Sequence, residues 1–244
     1  MYQYQGKDVS DIFALSKVMY LDSDYFAKEV RTPAFLEFVR QADVNKAERL
    51  KKLLLLSVPD DILVFRASLI LNPYLSFRFK GYLFNDYAAL GRRMLSSAPE
   101  TNPVLMEVVR YSLVSLHLLF SSSGTQKEKV QEIMAIEKEG ANDLSYAYFL
   151  LAYDLSKTTT LIYQKKEYSD IFNFVYYLRS SKTDLAELGN YLADSPLLRA
   201  YSHFSKDGKL VEEYLHLNRE LDLSEKGFLD ATKKREEAFR GLKK

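Results

Sequence analysis

A twelve-residue phrase at the start of the chain recurs, and such repetition restricts the fold to an array of like modules. Tyr2-Gln3-Tyr4-Gln5-Gly6-Lys7-Asp8-Val9-Ser10-Asp11-Ile12-Phe13 is echoed by Phe77-Arg78-Phe79-Lys80-Gly81-Tyr82-Leu83-Phe84-Asn85-Asp86-Tyr87. It returns as Tyr163-Gln164-Lys165-Lys166-Glu167-Tyr168-Ser169-Asp170-Ile171-Phe172, the offsets being 75 and then 84 residues. In the first two copies aromatic and polar residues alternate as in a short strand. Gly6 or Gly81 then supplies a turn with positive φ. Ser10 or Asn85, each followed directly by Asp, is placed to N-cap an amphipathic helix. In the third copy Lys165 stands where glycine stood, so the turn there is expected to be distorted or absorbed into a helix. Such short extended pieces are not stable alone. Two readings stay open: pieces from different units pair into a small sheet, or each is a linker with its aromatics tucked between helices.

Between the phrases the pattern is helical, with apolar residues at i, i+3, i+4 and i+7. Thr32-Pro33 opens one helix as N-cap and first residue. Pro59-Asp60-Asp61 opens another, with carboxylates at the positive end of its dipole, and Asn72-Pro73 closes it. Thr125-Gln126-Lys127-Glu128 has capping-box spacing after the loop Ser121-Ser122-Ser123-Gly124. Val104 to Phe120 is apolar nearly all round and reads as one buried central helix, with Glu107, Arg110 and His117 on a thin solvated edge. The expected fold is mainly α: a helical array of two related units, residues 1–76 and 77–160, and a degenerate third, 161–244, packed as one continuous structure with short extended segments at unit starts.

Composition narrows the chemistry. An apolar fraction of 47% is ample for a core, and a formal charge of +1 gives no global field for nucleic acid or an anionic membrane. With no cysteine, disulfides, thiol nucleophiles and thiolate metal sites are excluded. The absence of disulfides favours a reducing, cytoplasmic setting. The first residues lack a basic region followed by an apolar one, and no apolar stretch is long enough to span a bilayer comfortably.

No glycine-rich phosphate loop, G-x-S-x-G or H-E-x-x-H occurs. Asp22-Ser23-Asp24 lacks the glycine and third ligand of a calcium loop and is better explained as helix capping. His216 has Glu212 and Glu220 at i±4, a spacing able to ligate a metal, although an ordinary solvated helix face accounts for it better. Neither an enzyme nor a cofactor is therefore expected, with an enzyme carrying an unrecognised site as a further alternative. Two basic clusters remain: Lys46, Arg49, Lys51 and Lys52; and the segment 225–244, net +3, with Lys233, Lys234 and Arg235 at its centre. These make nucleic acid or an anionic surface an alternative partner. The 18 Tyr and 15 Phe exceed what one buried stripe needs, so Tyr176, Tyr177 and Arg179 are candidates for an exposed groove or a self-association surface.

The aromatic-x-aromatic-x-Gly phrase, best preserved in Leu71-Asn72-Pro73-Tyr74-Leu75-Ser76-Phe77-Arg78-Phe79-Lys80-Gly81, resembles accessory repeat modules of large bacterial proteins that also carry kinase, zinc-ribbon or Hsp70-like domains. The resemblance covers about a third of the chain and brings no catalytic residues. It implies a regulatory or scaffolding role in a bacterium. The expectation is an interaction protein that binds a protein partner through aromatic-lined grooves between helices.

Overall fold

The computed structural model describes residues 2–121, 126–181, 191–192 and 194–219, with the isolated positions 233 and 237. The fold is mainly α, with three short β-hairpins among the described residues. It divides into unit 1 (Met1–Tyr87 and Tyr111–Ala135) and unit 2 (Ala88–Arg110 and Ile136–Lys244).

Each repeated phrase is a complete hairpin, contrary to both readings left open above. Strands β1 (Tyr2–Tyr4) and β2 (Lys7–Val9), β3 (Phe77–Phe79) and β4 (Tyr82–Phe84), and β5 (Leu161–Tyr163) and β6 (Lys166–Tyr168) pair locally and antiparallel. The register is the same in all three: Tyr2 faces Val9, Phe77 faces Phe84, and Leu161 faces Tyr168. Each two-residue turn has both residues at positive φ: Gln5 (49°) and Gly6 (75°), Lys80 (45°) and Gly81 (79°), Gln164 (48°) and Lys165 (65°). Such turns match the twist of the flanking strands. Lys165 therefore holds the turn that the sequence expectation gave up. Its left-handed conformation costs about 1–2 kcal/mol, and burial of Leu161 and Tyr168 on the hairpin's inner face offsets it.

A helix follows each hairpin, and after the first and the third the cap is the aspartate rather than the residue before it. Asp11 accepts from the backbone N–H groups of Phe13 (2.9 Å) and Ala14 (2.8 Å) to start α1 (Ile12–Val18). Ser10, expected as the cap, instead donates its hydroxyl to Asp11. Asp170 does the same for Phe172 (3.0 Å) and Asn173 (2.9 Å).

In unit 1, α1 leads through a 3₁₀ turn (Met19–Leu21) to α2 (Ser23–Glu29), α3 (Pro33–Ala42), α4 (Val44–Leu54) and α5 (Asp60–Leu71). Thr32, Asp22 and Asp43 cap α3, α2 and α4. From Ile62 to Leu71 every residue of α5 except Arg66 is buried, because α1, α2 and α4 pack round it. Leu15, Phe26, Phe35 and Leu50 complete that core.

In unit 2, α6 (Tyr87–Leu95, its first residue belonging to unit 1) leads through a 3₁₀ turn (Pro99–Thr101) to α7 (Pro103–Arg110). The central helix here is α10 (Leu144–Ser156), packed by α7 and by α12 (Pro196–Phe204). Helices α11 (Ile171–Ser181) and α13 (Gly208–Arg219) follow the third hairpin and α12. The chain from Val104 to Phe120 is not one helix. It breaks at Ser112, whose φ of 52° ends α7 and lets α8 (Leu113–Ser121) begin, ahead of α9 (Lys127–Glu139). His117, expected on a solvated edge, is buried. The capping box at Thr125 and most of the loop before it lie outside the described residues. Among the described residues no single helix is long and apolar enough to cross a membrane.

Candidate functional site

Unit 2 holds a cavity of about 140 Å³, open to solvent on one side, where α10, the third hairpin and the turn after α6 converge. Ser145 and Phe149 contribute from one face of α10, four residues apart. Ile162 and Tyr163 come from β5, and Leu95 from the last turn of α6. The walls are therefore mostly apolar and aromatic. Glu100 carries the only charge among the described lining residues, and it is exposed on the rim.

Several bonds fix these walls. The buried Tyr148 hydroxyl donates to Met94 O at 2.9 Å and has Ser97 O as a second acceptor at 3.3 Å, which pins the turn carrying Ser97 and Ala98. Ser195 accepts from Leu198 N–H (3.4 Å) as the N-cap of α12, and Pro196 in the first turn sets the direction of Leu197. Tyr163 packs edge-on against Phe174 (5.2 Å) and Tyr191 (6.5 Å). Burial pushes the Tyr191 phenol up to about 12, opposed by a hydrogen bond with Ser195. The site thus presents a neutral phenol across the physiological pH range. Such a lining suits the burial of an uncharged group.

A second constellation in unit 2 is polar and open. Tyr146 Oη lies 2.7 Å from His203 Nε2, and the Arg199 guanidinium stacks 4.2 Å from the Tyr146 ring while pairing with Asp143 at 3.0 Å. Glu212 and His216 line the same depression, while Glu220, their expected companion, lies outside the described residues. Among the described residues no three His, Asp or Glu side chains group as metal ligands would. Unit 1 has its own constellation around His117. Its Nε2–H donates to Leu75 O (2.8 Å), so Nδ1 accepts from the Tyr87 hydroxyl (2.5 Å), with Phe77 packed on the ring. Burial lowers its pKa and keeps the imidazole neutral, which makes it a tie between α8 and the residues on either side of the second hairpin.

The residues singled out from sequence lie elsewhere. Tyr176 is 75% exposed on α11, away from the cavity. Tyr177 packs on Tyr168 (5.5 Å) with Lys166 Nζ 4.7 Å above its ring, and Arg179 is half-buried. The basic cluster on α4 is not one patch. Lys46 turns inward to donate to Leu71 O at the end of α5 (2.8 Å), Arg49 covers the Phe120 ring, and Lys51 pairs with Glu48 at 2.7 Å. Lys52 is exposed beside them. Lys233 is exposed, and Lys234 and Arg235 lie outside the described residues. Sequence reasoning missed the cavity because Leu95, Phe149 and Ile162 read as ordinary core. The signal lay in comparing the repeats position by position. No family model, curated protein or solved structure matches the chain.

Proposed function

We propose that this chain is a non-enzymatic interaction protein of the bacterial cytoplasm, with a regulatory or scaffolding role. It holds a protein partner by an apolar side chain seated in the unit 2 cavity. The observation that carries this reading is the cavity itself: about 140 Å³, lined by Phe149, Ile162, Tyr163 and Tyr191, with its charge confined to the rim. Affinity at protein interfaces concentrates in a few anchor side chains that fill desolvated pockets, surrounded by contacts that exclude water. Phe149, Leu95 and Leu197 are buried on rigid helices, so the receptor is formed before the partner arrives and little ordering entropy opposes binding.

Selection of displayed random peptides on the immobilised full chain tests the reading. Binders should share an apolar anchor position and lose the Ala98→Trp chain, whose indole would stand at the cavity mouth. Enrichment of peptides that hold both chains equally would refute it, as would no enrichment at all.

A further inference from the structure

The cavity has a counterpart in unit 1 that the chain fills by itself. The second hairpin lies 75 residues after the first, and the third lies 84 after the second. By those offsets Leu95 corresponds to Tyr20, and Ala98 to Ser23. Ser145, Phe149, Ile162, Tyr163 and Gln164 correspond to Asp61, Phe65, Arg78, Phe79 and Lys80. All seven counterparts line one small pocket in unit 1, where only about 10 Å³ is left open. Two interactions occupy that joint. The Arg78 guanidinium stacks on the Tyr20 ring at 5.2 Å while donating to Lys17 O at 2.8 Å. Lys80 Nζ and Asp61 pair at 2.8 Å across the pocket.

Unit 2 keeps the aromatic floor, Phe149 and Tyr163, and lacks both plugs. Leucine replaces the tyrosine, isoleucine the arginine, glutamine the lysine and serine the aspartate. What opens is a neutral space about the size of an engineered apolar cavity of about 150 Å³ that admits benzene. That size admits one six-membered ring and little more. Phe149, Tyr163 and Tyr191 supply aromatic walls, and aromatic pairs are favoured beyond their buried area.

We propose that the unit 2 cavity is a receptor for one uncharged aromatic ring, a phenylalanine side chain presented by the partner. This rests on the partner-binding reading above and gives the anchor its chemistry. The ring takes the volume that Tyr20 and Arg78 occupy in unit 1 and lies against the retained aromatic floor.

The test is an NMR titration of the full chain with N-acetyl-phenylalaninamide, N-acetyl-leucinamide and toluene. Two variants are compared, Ala98→Trp and the quadruple Leu95→Tyr/Ser145→Asp/Ile162→Arg/Gln164→Lys, which places the unit 1 side chains at all four plug positions; circular dichroism establishes that each is folded. The expected result is saturable binding of one phenylalaninamide per chain, about 2- to 10-fold tighter than leucinamide, and abolished in at least one folded variant. Absence of saturable binding by both ring probes overturns the proposal, as does binding unchanged in both variants. Leucinamide binding as tightly as phenylalaninamide overturns the ring class while leaving a partner anchor intact. Toluene binding without phenylalaninamide supports the ring receptor and refutes presentation by a partner.

Discussion

Replacing Gly91 with alanine sets two physical effects against each other, and the structure decides which dominates. Gly91 lies inside α6, where Gly→Ala on propensity alone stabilises a helix by about 1 kcal/mol. A Cβ there would stand 2.5 Å from Ser156 N, 2.6 Å from Ala152 O and 2.9 Å from Leu155 Cβ, all on α10 or its last turn. Two of these neighbours are backbone atoms of a helix packed on both sides, so no rotamer change relieves the overlap. The helices must part by most of an ångström, and overpacking of this kind costs about 1–3 kcal/mol or somewhat more. With the contact against rigid backbone, the upper end applies, and a net loss of about 2 kcal/mol remains after the propensity gain. At a urea dependence of about 2 kcal/mol per molar, the midpoint falls by about 1 M. The chain has no tryptophan, so helix content by circular dichroism is the readout. Leu95 lies one turn further along α6, so the variant should also weaken ring binding. A Gly91→Ala chain as stable as the parent or more so would refute the close approach of α6 to α10.

Other perturbations test single steps of the argument. Lys165→Gly should stabilise the third hairpin by about 1 kcal/mol by removing left-handed strain, and Gly81→Ala should destabilise the second by a similar amount; denaturation midpoints moving the opposite way would contradict the shared turn. Asp170→Ala should cost about 1 kcal/mol through loss of the cap on α11, whereas Ser10→Ala should change little; equal midpoints for the two variants would remove the aspartate from its capping role. Burial lowers the folded-state pKa of His117 below its ordinary 6.5. The unfolded chain therefore binds the proton more readily, and the stability this contributes is complete above pH 6.5 and lost as the pH falls below it. The stability difference between the parent and His117→Gln should accordingly shrink from pH 7 to pH 5, and a constant difference would refute the neutral imidazole.

Much of the α architecture was legible because caps and breakers announce it: Thr32-Pro33, Asp22 and Asn72-Pro73 act where their chemistry puts them. The hairpins were half legible. Tyr2/Tyr4 and Phe77/Phe79 show alternation, but their partner strands do not. In Lys7-Asp8-Val9 only Val9 is buried, and in Lys166-Glu167-Tyr168 only Tyr168, so a three-residue strand leaves a single apolar mark. The break at Ser112 has no glycine or proline to signal it. The His117 tie was invisible because both its partners, Tyr87 and the Leu75 carbonyl, come from 30 and 42 residues away. The basic residues of α4 misled for a related reason. A lysine's charge is visible in sequence, but whether it faces water or caps the neighbouring helix, as Lys46 does, is decided by tertiary packing.

The difference between the two pockets is a difference of interacting pairs. Asp61 and Lys80 each keep 26% of their side chain exposed, so either alone would leave a largely desolvated charge without its partner. Removing one member of such a pair costs more than removing both. Unit 2 carries serine and glutamine at the two positions together. Arg78 and Tyr20 likewise support one another, and unit 2 has aliphatic residues, Ile162 and Leu95, at both positions. Together the four residues leave a lining whose only charge, among the described residues, is Glu100 on the rim. A lone leftover carboxylate or ammonium would hold water in the cavity and repel an apolar occupant. A neutral lining on a retained aromatic floor is the condition under which a ring gains more from leaving water than the site loses by admitting it.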